Sequence, residues 1–148
     1  MRKPKPAMAG DQIVTAMIKL ARCANVHRII LSGSAAPQRM FELHRRGYSR
    51  VASTASCGLP HGQYDVALGE WQLHSIRALE TTLNWLVHFL APVGVLVIWI
   101  DSEEHSGPQR LKSILWRLGF RIEAGTRCKD GVAISARRLQ ASPQVIAA

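Results

Sequence analysis

The amino-acid sequence predicts an α/β domain of three layers: a mostly parallel sheet of about six strands with an antiparallel C-terminal strand, and helices on both faces. Three observations support this fold class. Short apolar, β-branched runs recur, and residues 29–31 (IIL) and 94–101 (GVLVIWID) are typical of strands buried on both faces. Segments with apolar residues at helical spacing separate these runs. Two strand-like segments around Gly131 resemble an antiparallel pair.

The first strand and the turn after it are the basis of the prediction. Four small residues follow the strand: Ser32, Gly33, Ser34 and Ala35. Small residues allow a sharp turn and the close approach of another molecule. A helix follows, with Pro37 in its first turn and Gly47 at its end. Ligands of such units lie beyond the carboxyl ends of the strands, although a unit without a ligand explains this stretch equally well.

The remaining elements follow in order. Asp11 can cap a first helix that ends near residue 25. Further helices are expected over residues 37–47, 71–90 and 108–119, and further strands over 50–54, 64–68, 94–101, 120–124 and 132–136. The segment 55–63, with two glycines and a proline, is expected to be a loop.

The chain of 148 residues is long enough for one domain with a hydrophobic core. We assign this domain to residues 10–139, after a disordered basic arm (1–9) and before a flexible tail (140–148). The longest apolar run, residues 93–100, is too short to cross a bilayer, and no signal peptide is recognisable.

The cysteines and histidines argue against a metal site. The three cysteines have no CxxC spacing, and the six histidines include no HxxxH pair. This pattern predicts a protein of the reducing cytoplasm, with neither disulfides nor a metal ion.

The net charge of +9 is unevenly distributed. Residues 1–60 carry ten Lys/Arg and two acidic residues (+8), residues 61–104 carry one and six (−5), and residues 105–148 carry eight and two (+6). The basic segments fit a surface that binds nucleic acid or another acidic partner. Solvated helix faces and a basic tail are the better-supported explanation, because the basic residues are spread over many elements. No RNP, zinc-finger or helix–turn–helix pattern accompanies them.

Three segments in order carry a resemblance to a known family: YDVAL (64–68), LAPVGVLVI (90–98) and LGFRI (118–122). Together with the turn after the first strand, they resemble class I S-adenosylmethionine-dependent methyltransferases. In that family a "yDvv" strand, a helix ending in an "L.pgG.l.." strand and a "l...GF.v" step follow one another. The resemblance covers about residues 27–138 and implies a Rossmann-like fold, S-adenosylmethionine as cofactor and methyl transfer to a small-molecule or macromolecular acceptor.

The resemblance also implies where the cofactor would lie. The residues that would contact it are Ser32, Gly33, Ser34, Ala35, Thr54, Leu68 and Gly69. Thr54 would lie near the ribose, and residues 68–70 near the adenine or the reacting methyl group.

A methyl acceptor with an acidic proton also needs a base at the strand ends. Glu70, His74 and Asp101 are the candidates for this catalytic role. Each has a simpler explanation: Glu70 as a helix cap, His74 as a surface or packed core histidine, and Asp101 as a loop cap. Trp71 could stack on an aromatic ring, although packing is the commoner role of a tryptophan at a helix start.

The cofactor-binding positions depart from the family's pattern. The turn keeps one glycine, no acidic residue ends the first strand, and Ser53 and Thr54 stand where the family has a carboxylate for the ribose hydroxyls. The loop 55–63 is too short for a further helix and strand, so we expect one edge strand fewer. A second hypothesis is therefore a non-catalytic module that has lost the cofactor and binds a protein or nucleic acid. A nicotinamide-dependent dehydrogenase is a poorer explanation, because GxGxxG is absent.

Overall fold

The computed structural model describes residues 6–33, 35–55, 62–71, 75–101, 106–128 and 131–139. The helices of these ranges are α1 (Pro6–Ala21), α2 (Ala36–Arg45), α3 (Ile76–Phe89) and α4 (Gly107–Arg117). The strands are β1 (Ile29–Ser32), β2 (Val51–Ser53), β3 (Tyr64–Trp71), β4 (Leu90–Asp101), β5 (Phe120–Cys128) and β6 (Gly131–Arg138). No helix in these ranges has the length and apolar character needed to span a membrane. The expected tail, 140–148, lies outside the described residues.

The strands form one six-stranded sheet in the order β2-β1-β3-β4-β6-β5. Strands β1 to β4 are parallel, whereas β6 runs antiparallel to both β4 and β5. The carboxyl ends of the four parallel strands therefore meet at one edge of the sheet, which we call the carboxyl edge.

Two hydrophobic clusters cover the two faces of the sheet. On one face, Met17 of α1 and Leu43 of α2 pack against alternate residues of β1, β3 and β4. On the other face, Leu83 of α3 and Leu115 of α4 pack against the intervening residues, among them Ile30. The expected fold class, with helices on both faces and an antiparallel C-terminal strand, is confirmed.

Strand β3 is longer than the sequence predicts, because its last three residues pair with β4 and gain ladder hydrogen bonds there. The helix expected to begin at Trp71 begins instead at Ile76. Its cap is Ser75, whose Oγ accepts a hydrogen bond from the Ala78 N–H at 3.1 Å. Glu70 is thus a strand residue and not a helix cap.

Strand β4 and helix α1 also begin earlier than predicted. Strand β4 starts directly after α3 and includes Pro92, which was expected to separate the two. Helix α1 begins at Pro6, before the expected cap at Asp11. Proline is tolerated in a first turn, and the alanines that follow are strong helix formers.

Cys23, just after α1, makes the stability dependent on pH. It is half-buried, and burial raises the pKa of its thiol from 9.0 to about 12. In the unfolded chain the thiol ionises first, so the stability that the neutral thiol contributes is lost as the pH rises from 9 towards 12. We expect the advantage of the native protein over Cys23→Ala to shrink by about 1 kcal/mol between pH 8 and pH 10. Urea unfolding of both proteins at pH 8 and pH 10 measures this difference in the free energy of unfolding. A difference that stays the same at both pH values would contradict the prediction.

Candidate functional site

The turn that follows β1 lies at the carboxyl edge, against the end of β3. Ser32 pairs with Gly69, and Gly33 then turns the chain with a φ of 121°. A Cβ at Gly33 would lie 3.8 Å from the Glu70 carbonyl oxygen, which is ordinary contact. Glycine is therefore needed at this position for its left-handed backbone and not for lack of space.

Helix α2 begins directly after this turn. The Ala36 N–H donates to the Gly33 carbonyl at 3.1 Å. Ser32 and Ala35 are half-buried, and Gly33 is exposed. The structure thus brings Ser32, Gly33 and Ala35 together at the carboxyl edge, whereas Ser34 lies outside the described residues.

The end of β2 lies beside the same turn. The Thr54 N–H donates to the Leu31 carbonyl at 2.9 Å, which holds the ends of β2 and β1 together. Leu68 is only 1% exposed, and a Cβ at Gly69 would lie 2.8 Å from Leu86 Cδ1. Thr54 is therefore next to the turn, whereas Leu68 and Gly69 pack in the interior below it.

An ion pair joins α2 to the end of β3 beside the turn. Arg39 donates from Nε to Glu70 Oε2 at 2.5 Å and from Nη2 to Glu70 Oε1 at 3.1 Å. Only 14% of the Arg39 side chain and 6% of the Glu70 side chain are exposed. Bidentate geometry fixes both side chains. The sequence analysis missed Arg39, because only the fold brings α2 next to the end of β3.

Asp101, another candidate base, ends β4 and is half-buried. Among the described residues, no cationic side chain forms an ion pair with its carboxylate. Glu70 pairs with Trp99, whose side chain lies on the face of the sheet that carries α1 and α2. Asp101 follows Trp99 by two residues, so the side chains of Glu70 and Asp101 lie on this same face. His74, the third candidate, lies outside the described residues.

Trp71, the last residue of β3, packs in the core. It is 4% exposed and belongs to the cluster beneath α3 and α4. Its indole N–H has no hydrogen-bond acceptor among the described residues. Its burial in this cluster fits ordinary packing.

Comparison by sequence finds no matching family model and no matching curated protein. Solved structures do match. The ribosomal protein L11 methylase of Lactobacillus delbrueckii subsp. bulgaricus is similar with a TM-score of 0.65 and 12% identity, over 89% of this chain and 80% of that one. The cyclase SpnF is similar with a TM-score of 0.69 and 13% identity, over 92% and 84% of the two chains.

A third similar structure contains a ligand. It is the 1,6-didemethyltoxoflavin-N1-methyltransferase of Burkholderia thailandensis with bound S-adenosylhomocysteine, with a TM-score of 0.57 and 13% identity over 95% and 94% of the two chains. At these identities the similarity concerns the fold, and one fold hosts many chemistries. The chain therefore has the Rossmann-like fold of the class I S-adenosylmethionine-dependent methyltransferases.

Proposed function

We propose that this protein binds S-adenosylmethionine at the carboxyl edge and transfers its methyl group to an acceptor. The observation that carries the proposal is the turn after β1, where the left-handed Gly33 lies beside Thr54 and Glu70, at the ends of the neighbouring strands. Ligands of open α/β sheets bind at this edge. The structure of the similar Burkholderia enzyme, which contains S-adenosylhomocysteine, supports the same ligand class.

The side chains at this edge fit the chemical groups of the cofactor. Its amino-acid end carries a carboxylate and an ammonium group, which complement the Arg39 guanidinium and the Glu70 carboxylate. Its ribose hydroxyls need hydrogen-bond partners, and the hydroxyls of Ser32 and Thr54 would supply them. Because these are neutral groups, we expect weaker binding than a carboxylate at the end of β2 would give.

Bound S-adenosylmethionine supplies a methyl group on a positively charged sulfur, which is open to in-line displacement. The protein would align the acceptor, exclude water and accept a proton. We assign the role of proton acceptor to Asp101, since its half-buried carboxylate has no cationic partner among the described residues. Glu70 would hold the cofactor and not accept this proton, because both its oxygens already accept hydrogen bonds from Arg39. His74 stays a candidate.

Replacing Gly33 with alanine tests the site. Alanine is strained at a φ of 121°, so Gly33→Ala is expected to lower the free energy of unfolding by about 1–2 kcal/mol. Distortion of the turn should also weaken S-adenosylmethionine binding, which we expect to be micromolar in the native protein, by about tenfold or more. Isothermal titration calorimetry measures the affinity.

Gly47→Ala is the matched control. Gly47 also has a left-handed backbone, with a φ of 97°, but follows the other end of α2. We expect a similar loss of stability with unchanged affinity. Equal loss of affinity in both variants would argue against the turn as the site. No binding of the native protein at millimolar S-adenosylmethionine would refute the proposed function and leave the non-catalytic module.

A further inference from the structure

A basic groove opens opposite the carboxyl edge, at the end of the sheet where the parallel strands begin. Its main part lies between the C-terminal end of α1 and strands β5 and β6 and has a volume of about 590 Å³. A second hollow of about 360 Å³ adjoins it, since Arg121 and Arg137 line both. The charged residues that line this basic groove are Lys19, Arg22, Arg121, Glu123, Arg137 and Arg138.

Positive charge dominates the basic groove, where five cationic side chains accompany one carboxylate. The Glu123 carboxylate lies 2.9 Å from Arg137 Nε and 4.0 Å from Arg121 Nη2. Arg138 is held in place by three main-chain carbonyls at the junction of α3 and β4. One carboxylate cannot neutralise this cluster, so the groove attracts anions.

Two cations at the end of α1, Lys19 and Arg22, are exposed and have no acidic partner among the described residues. Arg22 has a φ of 54°, a left-handed conformation that helix ends usually give to glycine. An arginine is strained there, and retained strain is typical of functional positions. This is a second observation, independent of the charge, that points to the same groove.

We propose that the basic groove binds the phosphate backbone of duplex nucleic acid, independently of base sequence. Lysine and arginine side chains clustered along a concave surface make the contacts that phosphate groups need. None of the described side chains that line the groove is aromatic, so unpaired bases have no platform on which to stack. A duplex backbone therefore fits better than a single strand.

The basic groove is separate from the proposed cofactor site. Arg137 pairs with Val95, near the start of β4, whereas Asp101 ends that strand. The two positions are about 20 Å apart along the strand. Nucleic acid in the groove would not compete with S-adenosylmethionine, so this inference goes beyond the proposed function and either can fail alone.

Charge-reversal variants distinguish binding in the basic groove from attraction by the overall positive charge of the protein. The groove variant is Lys19→Glu/Arg22→Glu/Arg121→Glu, and the control is Arg77→Glu/Arg110→Glu/Lys112→Glu, three exposed cations of α3 and α4. Each exchanges three positive for three negative charges, which lowers the net charge from +9 to +3. Fluorescence anisotropy with a labelled duplex of about 20 base pairs, over a series of salt concentrations, measures binding, and thermal melting checks folding.

We expect the groove variant to bind the duplex about 30-fold more weakly, and the slope of its salt dependence to correspond to about two to three fewer phosphate contacts. The affinity of the control variant should change less than about threefold. Arg22→Gly is expected to raise Tm and yet weaken duplex binding, a combination that a structural role alone would not produce. Equal weakening in both triple variants, tighter binding of a single strand, or equal binding of polyglutamate would overturn the proposal.

Discussion

Gly131→Ala is expected to destabilise the protein by about 3 kcal/mol, because β4 and β6 leave no room for a side chain at this position. Gly131 begins β6 opposite Asp101. A Cβ there would overlap the Ile100 carbonyl oxygen and lie 2.7 Å from Trp99 Cζ2. A main-chain atom cannot move aside without opening the pairing of the two strands. Equilibrium urea unfolding measures the effect.

Gly125→Ala is the control for this substitution. Gly125 lies in β5, where a Cβ would meet the Ala133 carbonyl oxygen at 3.5 Å, an ordinary contact. Alanine also reduces the conformational freedom of the unfolded chain, so we expect a change within about 1 kcal/mol. If Gly131→Ala kept native stability, β4 and β6 could not pair as closely as the structure has them.

Removal of one member of the Arg39–Glu70 ion pair is expected to lower the free energy of unfolding by a similarly large amount. Because the side chains are only 14% and 6% exposed, Glu70→Leu or Arg39→Met leaves a charge with little water around it and is expected to cost about 3 kcal/mol. Both variants should also weaken S-adenosylmethionine binding, since the pair lies beside Gly33. Urea unfolding and calorimetric titration give the two measurements.

The double variant Arg39→Met/Glu70→Leu separates buried charge from lost packing. It leaves neither charge unpaired, so we expect it to recover about 2 kcal/mol of the summed single losses. The exposed pair of Arg117 and Glu80, with side chains 66% and 41% exposed, is the control. Arg117→Ala is expected to change stability by less than about 0.5 kcal/mol. Strictly additive losses at Arg39 and Glu70 would show that the two side chains do not depend on each other.

Strand β3 shows which features of the fold the sequence could predict. The mostly apolar segment 64–68 identifies the strand, and the helix after it is evident from its leucine spacing. The strand continues to Trp71 because β4 provides a partner that far, a contact between segments distant in sequence. Local periodicity therefore predicted the elements and their order, whereas the end of β3 depends on its neighbour in the sheet.

Some parts of the candidate site were likewise predictable from the sequence, and others depend on the fold. The turn of Ser32, Gly33 and Ala35 follows from small residues consecutive in the chain, and it was predicted. Arg39 was missed, because nothing in the sequence links it to Glu70 before the topology is known. The basic groove is a further case, since the fold brings the end of α1 next to β5 and β6, which follow much later in the sequence.

The position of β6 has a consequence for synthesis on the ribosome. This strand lies between β4 and β5 in the sheet, yet it follows both in the chain. The edge of β4 therefore waits for its partner until α4 and β5 have been made, whereas β5 meets β6 directly, since Cys128 pairs with Gly131. Closure of such long-range pairings is slow, and an open strand edge can recruit another chain. The nascent protein is thus most prone to aggregation in the interval between the emergence of β4 and that of β6.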